Sequence, residues 1–159
     1  IKPFNVDFHS IIFLRGLSRD PEFKLPSYDK LLKIRQEIFK IWQSYNYGFK
    51  SIECKILQNY QRLLYNTSLK VIKEQKQIPK CLAHKQHLVI YPSGDLAFCE
   101  ILPPFGNLRV QSLKNLLNSK KAQDQRKSIK KKNCYCHHNC NMVDNFFLNP
   151  LQYPKLIRK

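Results

Sequence analysis

From Ser27 onward, apolar positions recur at helical spacing, with Leu31, Ile34, Ile38, Ile41 and Trp42 on one stripe. Ser27 can accept a hydrogen bond from the first turn and so predicts the N-cap, and Gly48 predicts the stop. A second stripe, Ile56, Leu57, Tyr60, Leu63 and Leu64, predicts another helix over about residues 49–76. Cys54 and Trp42 fall inside these helices and read as core packing. Ahead of them, "VDFHSIIFLRG" alternates loosely and then runs apolar into Arg15 and Gly16. That pattern predicts a buried strand ending in a loop, as in a parallel sheet or barrel. The connecting "LSRDPEFKLPS" is irregular.

The pattern changes after "KQIPKC". "HLVIYPSGDLAFCE" places two short β-rich runs around "PSGD", a turn signal, and predicts a hairpin. "ILPPFGNLRV" reads as a loop and a short extended piece. Ser112 can cap one helix running through "LKNLLNSKKAQDQRKSIKKK". A cysteine-rich loop follows, and "MVDNFFLNP" predicts one or two helical turns stopped by Pro150. No internal repeat is visible. The boundary suggested by the pattern lies near Pro79, giving segments 1–79 and 80–159.

The formal net charge of +17 raises the prospect of a nucleic-acid partner. Lysine is accompanied by abundant Ile, Asn and Tyr and by scarce Gly and Ala, the bias an AT-rich coding sequence imposes on any surface. Only "KSIKKKN", Lys127 to Asn133, concentrates charge enough to suggest a phosphate-contacting patch. No apolar run approaches the roughly 20 residues that span a bilayer, and "IKPFNVDFHS" lacks a signal-peptide layout. The only methionine is Met142, so the chain is expected to be the later part of a longer protein.

Six cysteines remain to be explained. Disulfide scaffolds are commonly shorter and denser in cysteine, because disulfides replace a missing core. With Cys54 assigned to a helix, five are left, an odd number, and the "CYC" pair is poorly placed to bridge itself. A reduced, cytoplasmic protein with metal-binding thiolates fits better. Cys81 and Cys99 form C-x12-G-x4-C through Gly94, and a hairpin would close that separation in space. After a polar helical segment, Cys134, Cys136 and Cys140 form C-x-C-x3-C. Zinc and iron–sulfur clusters both accept four thiolates, but zinc sites usually use paired C-x2-4-C knuckles. A cubane cluster is wider than one ion and can draw ligands from separated cysteines, so the first half of the pattern leans toward a cluster.

"CLAHKQHLVIYPSGDLAFCEILPPFGNLRVQSLKNLL", closed by "NCYCHHNC", resembles the auxiliary-cluster region of radical S-adenosylmethionine proteins, the SPASM or twitch domain. Cys81, Gly94 and Cys99 fit the first part of that family's pattern. "GNL" at Gly106 to Leu108, followed by an "sLk-lL" helix, is also typical of it. The resemblance covers about residues 80–150. It implies an α/β fold class, a C-terminal remnant of a partial (β/α) barrel in 1–79 followed by a small α+β auxiliary-cluster domain (β-hairpin, helix, Cys-rich loop). "HSIIFLRG" resembles the last barrel strands. The family's C-x3-C-x2-C loop, which holds S-adenosylmethionine and the catalytic cluster, does not occur in this chain and would lie before residue 1. A full SPASM domain has seven cysteines and two clusters, with C-x2-C-x5-C near its end; this chain offers five.

The resemblance therefore implies one auxiliary 4Fe-4S cluster, held by four of Cys81, Cys99, Cys134, Cys136 and Cys140. Cys81, Cys99, Cys136 and Cys140 are favoured, with Cys134 the alternate. His137 and His138 are expected to face solvent or bond the loop backbone. Such clusters orient or ligate substrate, or relay an electron, and ligation by four cysteines favours relay or a structural role. The substrate of the full enzyme would be a peptide, a sugar or a nucleotide-linked metabolite, with an electron-donor protein as partner and no membrane. No catalytic residue is assigned within the chain. The competing reading is a zinc-stabilised nucleic-acid-binding module using Lys130, Lys131 and Lys132. It accounts for the charge but not for the Gly94–Cys99 hairpin.

Overall fold

The computed structural model describes residues 6–14, 18–45 and 51–157. Helix α1 (Tyr28–Gln43) starts where expected, with the Ser27 Oγ accepting from the Lys30 amide at 3.4 Å. Gly48, expected to end it, lies outside the described residues, as do Arg15 and Gly16. Leu31, Ile38 and Trp42 are buried, while Ile34 and Ile41, on the margins of the stripe, stay exposed. Helix α2 (Ser51–Glu74) packs along α1. Their shared core contains Phe13, Leu31, Ile38, Trp42, Tyr65 and Leu69. The polar ends of its two large amphipathic rings are satisfied by backbone. The Trp42 Nε1–H donates to the His9 carbonyl at 3.1 Å, and the Tyr65 hydroxyl to the Leu31 carbonyl at 2.8 Å.

The first of those bonds ties the N-terminal segment to α1, but that segment is not the expected strand. Residues 8–14 pair with no strand among the described residues, and Phe13 is the only buried apolar side chain among them. Strand geometry requires a neighbour to take the backbone hydrogen bonds. Here the apolar run is held instead by side-chain burial against helices.

The opposite face of α2 receives the end of the chain. Helix α6 (Asn139–Phe147), a 3₁₀ turn (Pro150–Gln152) and helix α7 (Tyr153–Ile157) fold back onto it. Tyr60, Leu64 and Val71 of α2 form a second core with Met142, Phe146 and Leu156. Pro150 thus ends one helical stretch and opens another, as its fixed φ allows at a helix start. Among the described residues, no helix is long and apolar enough to cross a membrane.

In the chain between α2 and α6 lie the short helix α3 (Ala83–Gln86) and a three-stranded antiparallel sheet in the order β1–β2–β3. Strand β1 (Val89–Ile90) pairs with β2 (Asp95–Ala97) as the expected hairpin, with Val89 opposite Ala97. Strand β3 (Gly106–Asn107) adds to β2, with Leu96 opposite Gly106. Gly94 ends the turn at φ +90, a backbone state that an L side chain resists. A Cβ there would meet the Asn107 Oδ1 at 2.9 Å.

The "GNL" segment now has a physical account. A Cβ at Gly106 would collide with the Leu116 side chain, so only glycine lets helix and sheet approach this closely. Asn107 locks the turn, its Nδ2 donating to the Ser93 carbonyl at 3.1 Å and to Asp95 Oδ1 at 3.0 Å. The Leu108 amide then donates to the Gly94 carbonyl at 2.8 Å.

The helix expected from Ser112 is two helices, α4 (Leu113–Asn118) and α5 (Lys120–Lys130). Ser119 breaks it. At φ −62, ψ 153 it is extended, and its Oγ accepts from the Ala122 amide at 3.2 Å as a second N-cap. The bend lets both pieces bury a face against the sheet, through Leu116 on α4 and Ala122 and Ile129 on α5. With Leu96, Phe98 and Phe105 they make a third core, and Cys81 and Cys134 pack on its edge.

Candidate metal centre

Each cysteine of the site is positioned by one of these elements. Cys81 precedes α3, Cys99 follows β2, and Cys134 and Cys136 lie in the loop between α5 and α6. Those four thiols line one small cavity of about 30 Å3, whose walls include Ala83, Ile101, Leu102, Ile129 and Met142. Cys140 is elsewhere. It sits in the first turn of α6, exposed and near Tyr60, whose hydroxyl is pushed up to about 12 by burial first and then by Cys140 and Asp144. Cys54 is a half-buried position of α2 and lines neither this cavity nor its rim. No disulfide joins any of the six cysteines.

Three buried amide side chains hold the thiol-bearing segments together. Gln77 reaches in two directions: its Oε1 accepts from the Cys81 amide at 3.2 Å, and its Nε2 donates to the Cys134 carbonyl at 3.3 Å. Asn145 Oδ1 accepts from the Leu82 amide at 2.8 Å, fixing the start of α3 to α6. Asn141 Nδ2 donates to the Cys99 sulfur at 3.3 Å and lies 4.0 Å from that of Cys136. Asn141 and Asn145 occupy one face of α6, four residues apart. None of the three stood out in the sequence.

The two histidines behave differently. His138 is buried rather than solvent-facing, and its Nε2 lies 3.5 Å from Glu100 Oε2, linking the loop after Cys136 to the residue after Cys99. His137 packs edge-on against Phe13 with ring centroids 5.9 Å apart. Neither lines the thiol cavity. A further tie is His87 to Asp144, between the start of the hairpin and α6.

The electrostatics set a condition on this site. Burial pushes the Cys81 thiol up to about 11; the Ala83 amide opposes the shift, and the neighbouring sulfurs of Cys136, Cys134 and Cys99 add to it. Burial also pushes Cys134 up, with Cys136 and Cys99 contributing. Burial thus disfavours the thiolates of Cys81 and Cys134, whereas a bound cation deprotonates its thiols outright. Among the described residues, no three His, Cys, Asp or Glu side chains converge tightly enough for a single metal ion. The thiols are instead distributed around the wall, with an amide donor aimed at two of them. Four thiols outside any disulfide, apolar walls and a donor to sulfur fit an iron–sulfur group.

Residues 81–141 match the family model of SPASM, an iron-sulfur cluster-binding domain. That segment begins at Cys81, ends at Asn141 and carries all five cysteines that follow Pro79, so it is similar to iron–sulfur cluster-binding domains of that family. No curated protein and no solved structure matches the chain.

Proposed function

We propose that Cys81, Cys99, Cys134 and Cys136 hold one auxiliary 4Fe-4S cluster, and that the chain is the C-terminal part of a radical S-adenosylmethionine enzyme. The observation that carries the ligand set is the convergence of these four thiols on one cavity while Cys140 lies outside it. The cluster, when bound, supplies one-electron chemistry. Four thiolates leave no iron position for a substrate, which favours electron relay over substrate ligation. The chain's own residues would tune that role: Asn141 by donating to the Cys99 sulfur, the apolar walls by excluding water, and Gln77 by fixing two ligand segments. In this reading, α1, α2 and the segment before them are the end of a partial (β/α) barrel, and cysteines without disulfides suit a reducing, cytoplasmic setting. S-adenosylmethionine and a second cluster belong to the C-x3-C-x2-C loop of the family, and this chain has no such motif.

Anaerobic reconstitution tests the reading. It should yield brown protein with about four iron and four sulfide per chain. Stoichiometric zinc without sulfide would favour the zinc-module reading instead.

A further inference from the structure

A second cavity, about 800 Å3, lies against the thiol site and shares Ile101, Tyr135 and Cys136 with it. Its other walls come from Leu14, from residues between 18 and 25, from the last turns of α2 and from His137. The size is that of a small-molecule site. We propose that this cavity binds a small amphipathic organic anion, held next to the Cys136 side of the cluster site.

Three observations support that chemistry. First, large apolar side chains that are otherwise exposed converge here: Leu14, Phe23 and Ile101 are 38%, 67% and 49% accessible, and all three line the cavity. Isolated exposed apolar residues are ordinary, but several around one concavity form a surface for an apolar body. Second, the polar groups sit among them. Lys24 supplies a cation, and the described lining residues include no Asp or Glu. A negative head is matched and a positive one is not. The overall charge of +17 adds a long-range attraction of the same sign.

Third, the wall between the two cavities is built rather than incidental. The Tyr135 hydroxyl donates to Gln75 Oε1, joining the cysteine loop to the end of α2. Gln75 holds φ 51, a left-handed conformation that a non-glycine residue adopts at a cost. This contact fixes Tyr135 as a shared wall, so a ligand in the larger cavity lies against the residue preceding Cys136. The placement beside a cluster rests on the ligand set proposed above; the cavity and its chemistry do not.

Calorimetric titration of the reconstituted protein with octanoate, and with 1-octanol as the neutral counterpart, tests this. Octanoate should bind saturably at one site and alter the visible circular dichroism of the cluster. Phe23→Ala, a change at an exposed position that the fold tolerates, should weaken both probes by about tenfold. Lys24→Gln should weaken octanoate about three- to fivefold and leave octanol unchanged. Octanoate binding that is non-saturable, or equal in wild type and both variants, overturns the proposal. Iron and sulfide assays on the same samples keep the two readings separate. Full cluster content with no octanoate binding overturns only the cavity, and absent iron overturns only the cluster.

Discussion

The side-chain amide of Asn141 aims its Nδ2 at the Cys99 sulfur from 3.3 Å, inside a region where both residues are buried. A donor to a cluster thiolate stabilises the more negative, reduced state, and so raises the potential. Asn141→Leu keeps the volume and removes the donor. The variant should bind its cluster and show a more negative reduction potential in a redox titration. An unchanged potential would mean that this bond does not tune the centre.

Single Cys→Ser changes separate the ligands from the bystanders. Cys81→Ser, Cys99→Ser, Cys134→Ser and Cys136→Ser should each strongly reduce bound iron and sulfide after reconstitution. Cys140→Ser and Cys54→Ser should retain them, since one thiol lies exposed near Tyr60 and the other sits on α2. Iron loss in Cys140→Ser equal to that in Cys134→Ser would restore the ligand set favoured by the sequence.

Gln77 braces two thiol-bearing segments from a buried position. Gln77→Ala leaves the Cys81 amide and the Cys134 carbonyl without this partner. Unsatisfied buried polar groups cost about 1–3 kcal/mol. Chemical denaturation should show a loss of that order, together with faster release of iron to a chelator.

Gly94→Ala should destabilise the hairpin by about 1–3 kcal/mol, the cost typical of a strained backbone state. Its φ of +90 disfavours any side chain, and the new Cβ would press on Asn107 and Arg109. Because the turn brings Cys81 and Cys99 within reach of one cavity, cluster content should fall with thermal stability.

Asp95 gives the turn a pH dependence. Hydrogen bonds from Ser93 and then Asn107 hold its carboxyl below the ordinary value of 3.8. A depressed folded value means that the stabilisation is present above the ordinary carboxylate range and disappears as pH falls through the folded value. Amide exchange across residues 93–107 should therefore be faster in Asp95→Asn than in wild type at neutral pH. The difference should shrink as the solution is acidified below 3.8. A constant difference would assign the effect to shape rather than charge.

Much of the local structure was legible because it depends on neighbours in sequence. Ser27 and Ser112 cap helices with their own hydroxyls, and "PSGD" turns because Gly94 tolerates a positive φ. The cysteine spacing and the "GNL" segment likewise pointed to the iron–sulfur cluster-binding family whose model matches residues 81–141. Where sequence reasoning missed, it weighed a local signal against a tertiary one it had no access to. Ser119 carries the same capping signal as Ser112, but it reads as one residue in a polar helix until the sheet it bends around is known. Residues 8–14 have a strand's apolar content, yet strand formation depends on a partner for the backbone, and the pattern cannot supply one.

The sequence by itself determined which residue types are available to the site: five thiols after Pro79, a glycine that must turn, and apolar segments able to enclose them. Only the tertiary structure decided which thiols meet. Cys136 and Cys140 are a turn of chain apart, and nothing in C-x-C-x3-C distinguishes them. The start of α6 at Asn139 does, because it carries Cys140 onto a helix facing Tyr60 and leaves Cys134 and Cys136 in the loop over the cavity. The buried amides of Gln77, Asn141 and Asn145 were invisible for the same reason. Their bonds span 63 positions from Leu82 to Asn145 and 57 from Gln77 to Cys134, so their worth is set by burial and partners that only the folded chain brings together.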